Sequence, residues 1–341
     1  MNTKTPRRHP MHAPFTLSRR RFIAVGAALA ASAAFGARAA QDWPAGKTIT
    51  WVVPYPAGGS TDVLGRAIAQ QLDAQMATRV IVDNRPGATG TIGAARVARA
   101  EPDGLTLLGT SIGPQAIAPH ILGKLTYDPV ADFAPIIEVG TIPHLLVVGK
   151  EQPFRTVAEL IAAAKKAPES LAYASGGTGT ILHMQGELLQ QKSGARFLHV
   201  PYKGDTPALQ DTLAGQVQFA FIPAAAALPH VQTGALRALA ATSARRLPAL
   251  PQVPTMAEAG FNDFVVEQWQ AVFAPAATPA PIIARLNAEI GRALQSPALT
   301  TLADQLGITL AGGTPQDLDA VRKADFDKWG KVIREAGIKP A

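Results

Sequence analysis

Short apolar segments of strand length alternate with longer segments of helical periodicity along most of this chain. Residues 80–82 and 105–109, for example, read as strands on either side of a helical pattern at residues 92–100. This alternation, without long charged or low-complexity runs, is typical of proteins in which helices connect parallel strands. We therefore predict an α/β fold whose mainly parallel sheets are flanked by helices.

Two segments place a strand, a glycine-rich turn and a helix in the same order. The turn at residues 54–62 follows the strand at 49–53, and the turn at residues 175–180 follows the strand at 171–174. Backbone N–H groups and the positive end of a helix dipole meet at such a turn, which favours an anion. Since neither turn is followed by the residues of a nucleotide enzyme, the pair indicates a receptor for a small carboxylate.

The start of the chain has the layout of a bacterial export leader. Arg19, Arg20 and Arg21 form a twin-arginine pattern, an apolar stretch follows at residues 22–35, and a small-residue cleavage site ends at Ala39. The apolar stretch is shorter than the roughly 20 residues that span a bilayer. The absence of cysteine excludes a lipoprotein anchor. We therefore predict cleavage after Ala39 and a periplasmic protein.

The positive net charge of the chain belongs to this leader. The whole sequence has 32 Lys and Arg against 25 Asp and Glu, a formal net charge of +7. Seven of the basic residues and none of the acidic ones precede the predicted cleavage site, so the mature chain holds 25 of each. A balanced charge does not favour nucleic acid or a membrane surface as a partner.

The mature chain is long enough for two domains. Strand patterns on either side of Pro143 mark a first crossing between them, and the pattern at residues 264–273 marks the return, before helical patterns at 281–295 and 315–336. We predict three parts, namely the leader at residues 1–39, a first domain at 40–142 plus 266–341, and a second domain at 143–265.

Few groups in the sequence could support covalent or metal chemistry. The chain has no cysteine and no His-Glu-x-x-His motif, and we find no nucleophile–base pair. The turn at residues 177–182 lacks the third glycine of a dinucleotide fingerprint. We predict that the protein is not an enzyme and has no cofactor or metal. The alternative, an exported α/β hydrolase or isomerase, would require a nucleophile–base pair or a metal site.

Several motifs occur in an order that resembles one protein family. They are Val-Val-Pro-Tyr-Pro-Ala-Gly-Gly-Ser-Thr-Asp at 52–62, Asn-Arg-Pro-Gly at 84–87, Pro-Asp-Gly at 102–104, Tyr-Asp-Pro at 127–129, Val-Pro-Tyr-Lys-Gly at 200–204, Pro-Thr-Met-Ala-Glu-Ala-Gly at 254–260 and Ala-Gly-Ile-Lys-Pro at 336–340. The set spans essentially all of the mature chain. It resembles the tripartite tricarboxylate transporter substrate-binding proteins, also called the Bug family.

The resemblance implies a periplasmic Venus flytrap receptor whose two domains close around a small organic acid. It implies delivery of this ligand to membrane transporter subunits or, alternatively, to a sensor kinase, and we expect a monomer. In this family, backbone amides, small hydroxyls and ordered waters hold the ligand. The residues to which the resemblance assigns this role are Tyr55, Ala57, Gly58, Gly59, Ser60, Thr61, Asp62, Ser111, Gly177, Thr178, Gly179, Thr180 and Pro223.

Three further side chains allow two interpretations each. Asp62 either orients a bound water or only stabilises the positive end of its helix. His183 either contacts the ligand or bonds a backbone carbonyl within its helix. Lys203 either raises the positive potential of the cleft or extends into solvent. The alanine-rich segment at residues 221–227 has no acid or amide, so it would offer a ligand shape rather than a polar contact.

Overall fold

The structure is a computed structural model that describes residues 43–44 and 46–338. The predicted leader, including the twin-arginine pattern and the cleavage site at Ala39, lies outside the described residues. All elements below belong to the unit that begins at Pro44.

The first strands and helices follow the alternation that the sequence predicts. The central strand β1 pairs in parallel with β2 on one side and with β3 on the other. Its residues Trp51, Val52 and Val53 are buried, as expected for a strand covered on both faces. In chain order the elements are β1 (Ile49–Val53), α1 (Ser60–Met76), β2 (Val80–Asn84), a 3₁₀ turn (Ala88–Gly90), α2 (Thr91–Ala98), β3 (Thr106–Ser111), a π-helical turn (Gly113–Ile117) and α3 (Ala118–Ile121).

A second group of strands and helices repeats the pattern. Here β5 is the central strand and pairs in parallel with β6 and β7. The elements are β4 (Phe133–Gly149), α4 (Val157–Lys166), β5 (Ala172–Ser175), α5 (Ile181–Ser193), β6 (Leu198–Pro201), α6 (Asp205–Leu213), β7 (Phe219–Pro223), α7 (Ala224–Gln232) and β8 (Leu236–Ala241).

The long strand β4 belongs to both groups. The sequence predicts two strands separated by Pro143, and this prediction is wrong because one strand runs through the proline. Up to Pro143 the strand pairs with the last long strand of the chain, and from His144 onward it pairs with β7 and, one residue later, with β8. Proline lacks an N–H and interrupts a ladder in mid-sheet. Pro143 is tolerated because it lies where β4 exchanges one set of partners for the other.

The chain then returns to the first group of strands. Strand β9 (Glu267–Pro275) lies between β3 and β4 and is antiparallel to both. The last elements are α8 (Ala280–Leu294), α9 (Pro297–Leu306), β10 (Thr309–Gly312) and α10 (Pro315–Glu335). The helical patterns at 281–295 and 315–336 correctly predict α8 and α10, whereas α9 and β10 are not anticipated. The α/β class is as predicted, and the predicted domain limits, which lie in β4 and just before β9, stay a prediction.

Trp51 and Trp269 lie in the core, each 1% exposed. Gly65 and Gly109 make room for the Trp51 indole, because a methyl group on either would come within 2.8 Å or 2.0 Å of Trp51 Nε1. Within the described residues, no helix has the length and apolar character required to cross a bilayer.

Candidate functional site

The two glycine turns, far apart in sequence, face one cavity. Its volume is about 240 Å³, equal to about eight water molecules at roughly 30 Å³ each in the liquid. Such a space suits a small organic molecule. It is lined by Tyr55, Gly59, Ser60, Thr61, Thr89, Ser111, Ile112, Gly113, Ile117, Gly179, Thr180, Ile181, Leu182, Asp205 and Gln268.

The fold explains why these residues meet. The first turn follows the carboxyl end of β1, Ser111 ends the neighbouring parallel strand β3, and the second turn follows the carboxyl end of β5. In open α/β sheets the carboxyl ends of parallel strands are where ligands bind. A larger cavity of about 880 Å³ lies among α8, α9 and β10, but neither glycine turn reaches it. We therefore take the smaller cavity as the candidate site.

The start of α1 forms one wall of the cavity. No side chain caps this helix, and its first N–H groups have no intrahelical partner. Its first two residues, Ser60 and Thr61, both line the cavity. Gly58 has a φ of +87°, a conformation that favours glycine, whereas Gly59 has ordinary extended angles, φ −74° and ψ 164°. The backbone of the turn therefore favours glycine at position 58 but does not require it at position 59.

Asp62 is buried beneath this turn and holds its shape. The carboxylate accepts hydrogen bonds from Gly58 N–H at 2.9 Å, Arg66 Nε at 3.1 Å and Asn84 Nδ2 at 2.9 Å. Burial alone would raise the pKa of Asp62, but the hydrogen bonds from Arg66, Gly58 and Asn84 lower it below its usual range. Asp62 is thus an ionised anchor of the turn and does not line the cavity.

Two pairs of hydrogen-bonded side chains fix the hydroxyls of this wall. Thr61 Oγ1 donates to Gln270 Oε1 at 2.8 Å, which connects α1 to β9. Tyr55 OH and Ser111 Oγ are 2.7 Å apart, and burial raises the pKa of the Tyr55 phenol. Ser60, by contrast, has no side-chain hydrogen bond to any described residue. Its hydroxyl is therefore the one in the first turn that remains available to a ligand.

Most polar groups of the second turn form hydrogen bonds within the turn or with the first residues of α5. Thr180 Oγ1 donates to the Gly177 carbonyl at 2.8 Å and accepts from His183 N–H, so it caps α5. The N–H of Gly179 donates to His183 Nδ1 at 3.1 Å. Gly177 and Gly179 have φ values of +125° and +83°, so both positions favour glycine. The turn offers a fixed shape and the start of a helix rather than free hydroxyl donors.

A stacked pair of histidines packs against the second turn. The rings of His183 and His199 stack with centroids 4.0 Å apart, and His199 Nε2 lies 2.7 Å from Ser175 Oγ. Burial, and then the charge of His183, lower the pKa of His199 to about 4, so the His199 ring is neutral at neutral pH. His183 accepts a hydrogen bond from an N–H instead of bonding a carbonyl. Neither His183 nor the exposed Lys203 lines the cavity.

Residues 109–113 read Gly-Thr-Ser-Ile-Gly, which matches the Gly-x-Ser-x-Gly spacing of a hydrolase nucleophile elbow. The surroundings of Ser111 do not fit that role. An elbow serine needs a histidine base, but the partner of Ser111 Oγ is the Tyr55 phenol. Among the described residues that line the cavity, none is a histidine. Ser111 therefore belongs to the wall of a binding cavity.

The structure brings together about half of the residues that the resemblance assigns to the ligand. Those that line the cavity are Tyr55, Gly59, Ser60, Thr61, Ser111, Gly179 and Thr180. Those that do not are Ala57, Gly58, Asp62, Gly177, Thr178 and Pro223. Ala57 and Thr178 are exposed and do not line the cavity. Pro223 ends β7 in register with His144 of β4 and does not line the cavity.

Other lining residues are not anticipated from the sequence. An apolar side is formed by Ile112, Ile117, Ile181 and Leu182, and further polar or backbone surface comes from Thr89, Gly113, Asp205 and Gln268. Ile112 and Gly113 directly follow Ser111, so the end of β3 is the signal that could have found them. Asp205 directly follows the Val-Pro-Tyr-Lys-Gly motif at the first residue of α6.

The electrostatics of the cavity are unusual for an anion site. None of the described residues that line it is lysine, arginine or histidine, and Asp205 is its one carboxylate. Burial raises the pKa of Asp205. A bound anion would therefore depend on uncharged donors and on the positive end of α1.

The chain is similar to a known protein family and to named members of it. The profile of the family described as tripartite tricarboxylate transporter family receptor matches residues 64–338. BugT of Bordetella pertussis is 37% identical over 320 residues, an alignment that covers 94% of this chain and 98% of BugT.

Two solved structures with bound acids are also similar to this chain. Rpa4515 of R. palustris with adipate has a TM-score of 0.77 and 36% identity, covering 88% of this chain and 100% of that one. MatC of Rhodopseudomonas palustris with bound malate has a TM-score of 0.73 and 32% identity, covering 85% and 100%. Members of this family are periplasmic solute-binding proteins and not enzymes. The predicted fold class and family are thereby confirmed, and this chain belongs to the tripartite tricarboxylate transporter receptors, the Bug family.

Proposed function

We propose that this protein captures a small organic acid in the cavity between its two glycine turns and delivers it to the membrane subunits of a tripartite transporter. The observation that carries the proposal is the uncapped start of α1, whose first two residues line the cavity. The bound adipate of Rpa4515 and the bound malate of MatC support a carboxylate as the ligand.

One carboxylate of the ligand would lie at the first turn. The N–H groups at the start of α1 and the hydroxyl of Ser60 are donors without a protein partner among the described side chains, and the pair of Tyr55 and Ser111 supplies one more hydroxyl. A hydrogen bond to a charged group contributes roughly 1.5–3 kcal/mol. The apolar side formed by Ile112 and Ile117 would cover the carbon chain. Capture would be completed by closure of the two groups of strands around the ligand.

A ligand screen tests the proposal directly. The mature protein, residues 40–341, would be examined by thermal shift against a library of organic acids that includes adipate and malate, followed by calorimetry at several salt concentrations. We expect saturable binding of at least one acid. Because dipoles and hydroxyls rather than cations would hold the ligand, affinity should depend only weakly on salt. A library without any binder would contradict the proposal, and a steep salt dependence would contradict this mode of holding.

Ser60→Ala provides the sharpest test of the geometry. Loss of one hydrogen bond to a carboxylate should weaken binding by about 10- to 150-fold, at roughly 1.4 kcal/mol per factor of ten. Thr178→Ala is the matched control, since it removes a hydroxyl from the exposed side of the second turn. We expect the control to bind like the wild type in calorimetry. Equal affinity of all three proteins would exclude the start of α1 as the carboxylate site.

Delivery to a transporter is tested in cells. Deletion of the gene should abolish uptake of the radiolabelled ligand, and expression of the full chain should restore it. If uptake persisted while a transcriptional response to the ligand disappeared, the receptor would instead serve a sensor kinase.

A further inference from the structure

We propose that Asp205 makes this receptor selective for acids that carry an ammonium or hydroxyl group opposite their carboxylate. The inference rests on the proposed function, because it assigns a class of ligand to the same cavity. It concerns the group of the ligand that would lie at Asp205 while a carboxylate lies at the start of α1.

Asp205 is positioned at the cavity by two backbone hydrogen bonds between neighbouring loops. Tyr202 N–H donates to the Ser175 carbonyl at 3.0 Å, and Gly204 N–H donates to the Gly176 carbonyl at 3.1 Å. These bonds bring the loop before α6 against the second glycine turn. A methyl group on Gly176 would lie 2.1 Å from Asp205 Oδ1, so the carboxyl group packs directly against this glycine. Asp205 thus reaches the cavity at a fixed place.

The carboxylate of Asp205 has no compensating partner in the part of the chain that the structure describes. It accepts no side-chain or loop hydrogen bond, and no lysine, arginine or histidine forms an ion pair with it. Asp205 is an exposed residue, yet the surrounding protein desolvates its carboxyl group enough to raise its pKa, and no positive group opposes this effect. A ligand group that donates hydrogen bonds would supply the missing partner.

An acidic residue in the first turn of a helix has a simpler explanation, since it stabilises the helix dipole of α6. That explanation accounts for an acid at this position but not for its place in the cavity wall. An aspartate with only this role would be as favourable at any solvated first-turn position. Here it is the single ionisable acid in a cavity that has no cation among its described lining residues. The lining therefore combines hydrogen-bond donors at the start of α1 with one carboxylate acceptor, Asp205.

The donors at the start of α1 and the carboxylate of Asp205 together distinguish ligands by their second functional group. A ligand with one carboxylate and one ammonium group matches both the donors and Asp205. A hydroxy acid matches them less strongly. In a simple dicarboxylate, the second carboxylate would face Asp205, and two carboxylates at close range disfavour one another's ionised form. Selectivity for amino acids or hydroxy acids over dicarboxylates of equal length follows.

The test uses pairs of probes that differ in one terminal group. Glutarate and succinate would be compared by calorimetry with γ-aminobutyrate and β-alanine, in which an ammonium group replaces one carboxylate. We expect the amino acid of a pair to bind at least about tenfold more tightly, a ratio that corresponds to ~1.4 kcal/mol. Asp205→Asn keeps the shape but removes the charge, so the amino acids should lose affinity and the dicarboxylates should gain it.

Asp211→Asn is the matched control. Asp211 lies on the same helix, bonds the Tyr202 hydroxyl at 2.6 Å and does not line the cavity. This variant should keep the wild-type preference. Binding of the dicarboxylates alone, or a preference that Asp205→Asn leaves unchanged, would overturn the inference while the proposed function stands. If neither series bound, the inference would also fail, and the proposed function would fail with it only if the organic-acid library contained no binder.

Discussion

Thr61 shows that a hydroxyl in a binding turn can be structural. It lines the cavity, but its hydroxyl hydrogen is directed to Gln270 Oε1 on β9 at 2.8 Å. Gln270 is 2% exposed, so this hydrogen bond satisfies an amide oxygen that is shielded from water. The neighbouring Ser60 has the opposite role, because its hydroxyl has no partner among the described residues. We therefore expect the Thr61 hydroxyl to contribute to stability and the Ser60 hydroxyl to contribute to binding.

We predict that Thr61→Val lowers stability more than it lowers affinity. The substitution leaves Gln270 Oε1 buried without a donor, which should reduce the free energy of unfolding by about 1–3 kcal/mol. Urea unfolding measures this loss, and calorimetry with the ligand measures affinity. Thr61→Ser keeps the hydroxyl and serves as the control. A Thr61→Val protein with wild-type stability and the weak binding expected of Ser60→Ala would show that Thr61 donates to the ligand instead.

Among the elements, α2 determines the shape of the first turn from outside the cavity. Gly93 lets this helix approach the chain directly after β1. A methyl group on Gly93 would lie 2.7 Å from Pro54 Cβ and 3.0 Å from the Arg85 carbonyl. Pro54 is the first residue of the turn that leads into α1. Close packing of α2 therefore supports the cavity wall without contacting a ligand.

Gly93→Ala should destabilise the protein and weaken binding together. Overpacking at a tight contact typically costs about 1–3 kcal/mol, and relief of this contact would displace the turn. Gly291→Ala on α8 is the matched control, since its methyl group would lie 3.7 Å from Ile137 Cδ1, an ordinary contact. The control should be neutral or more stable by up to about 1 kcal/mol. Equal thermal stability of the two variants would show that α2 does not press on the turn.

The two turns were predictable because their signals are local. A strand, a glycine and a helix start stand next to each other in the sequence at both sites. The position of Asp205 was not predictable, because hydrogen bonds from Tyr202 and Gly204 to the second turn place it there. The short strand β10 was missed for a related reason. Four-residue β10 exists because it pairs with β4, a strand far from it in the chain.

At the scale of the whole molecule, the excess positive charge lies in the predicted leader and not at the cavity. Its seven excess positive charges precede Ala39, whereas the cavity has no positive side chain among the described residues that line it. We therefore expect the excess charge to be lost with the predicted leader and to contribute nothing to attraction of a ligand.

Export should depend on the arginine pair. Replacing Arg19 and Arg20 with lysine should leave uncleaved precursor in the cytoplasm, because lysine does not reproduce the twin-arginine pattern. Cell fractionation and immunoblotting would measure the periplasmic yield. Arg7 and Arg8 provide the control, since changing them to lysine alters the same number of charges outside the pattern. Normal periplasmic yield of the first variant would exclude the twin-arginine route.

The position of β9 has a consequence for how the protein is made. This strand lies between β3 and β4 although it follows both in the chain. During synthesis, the edges of β3 and β4 that face β9 stay without their partner until most of the polypeptide has been translated. Exposed strand edges promote association with other chains, and pairing across long sequence separations is slow. The nascent receptor is therefore most at risk of aggregation late in translation, just before β9, the strand that joins β3 to β4, has emerged.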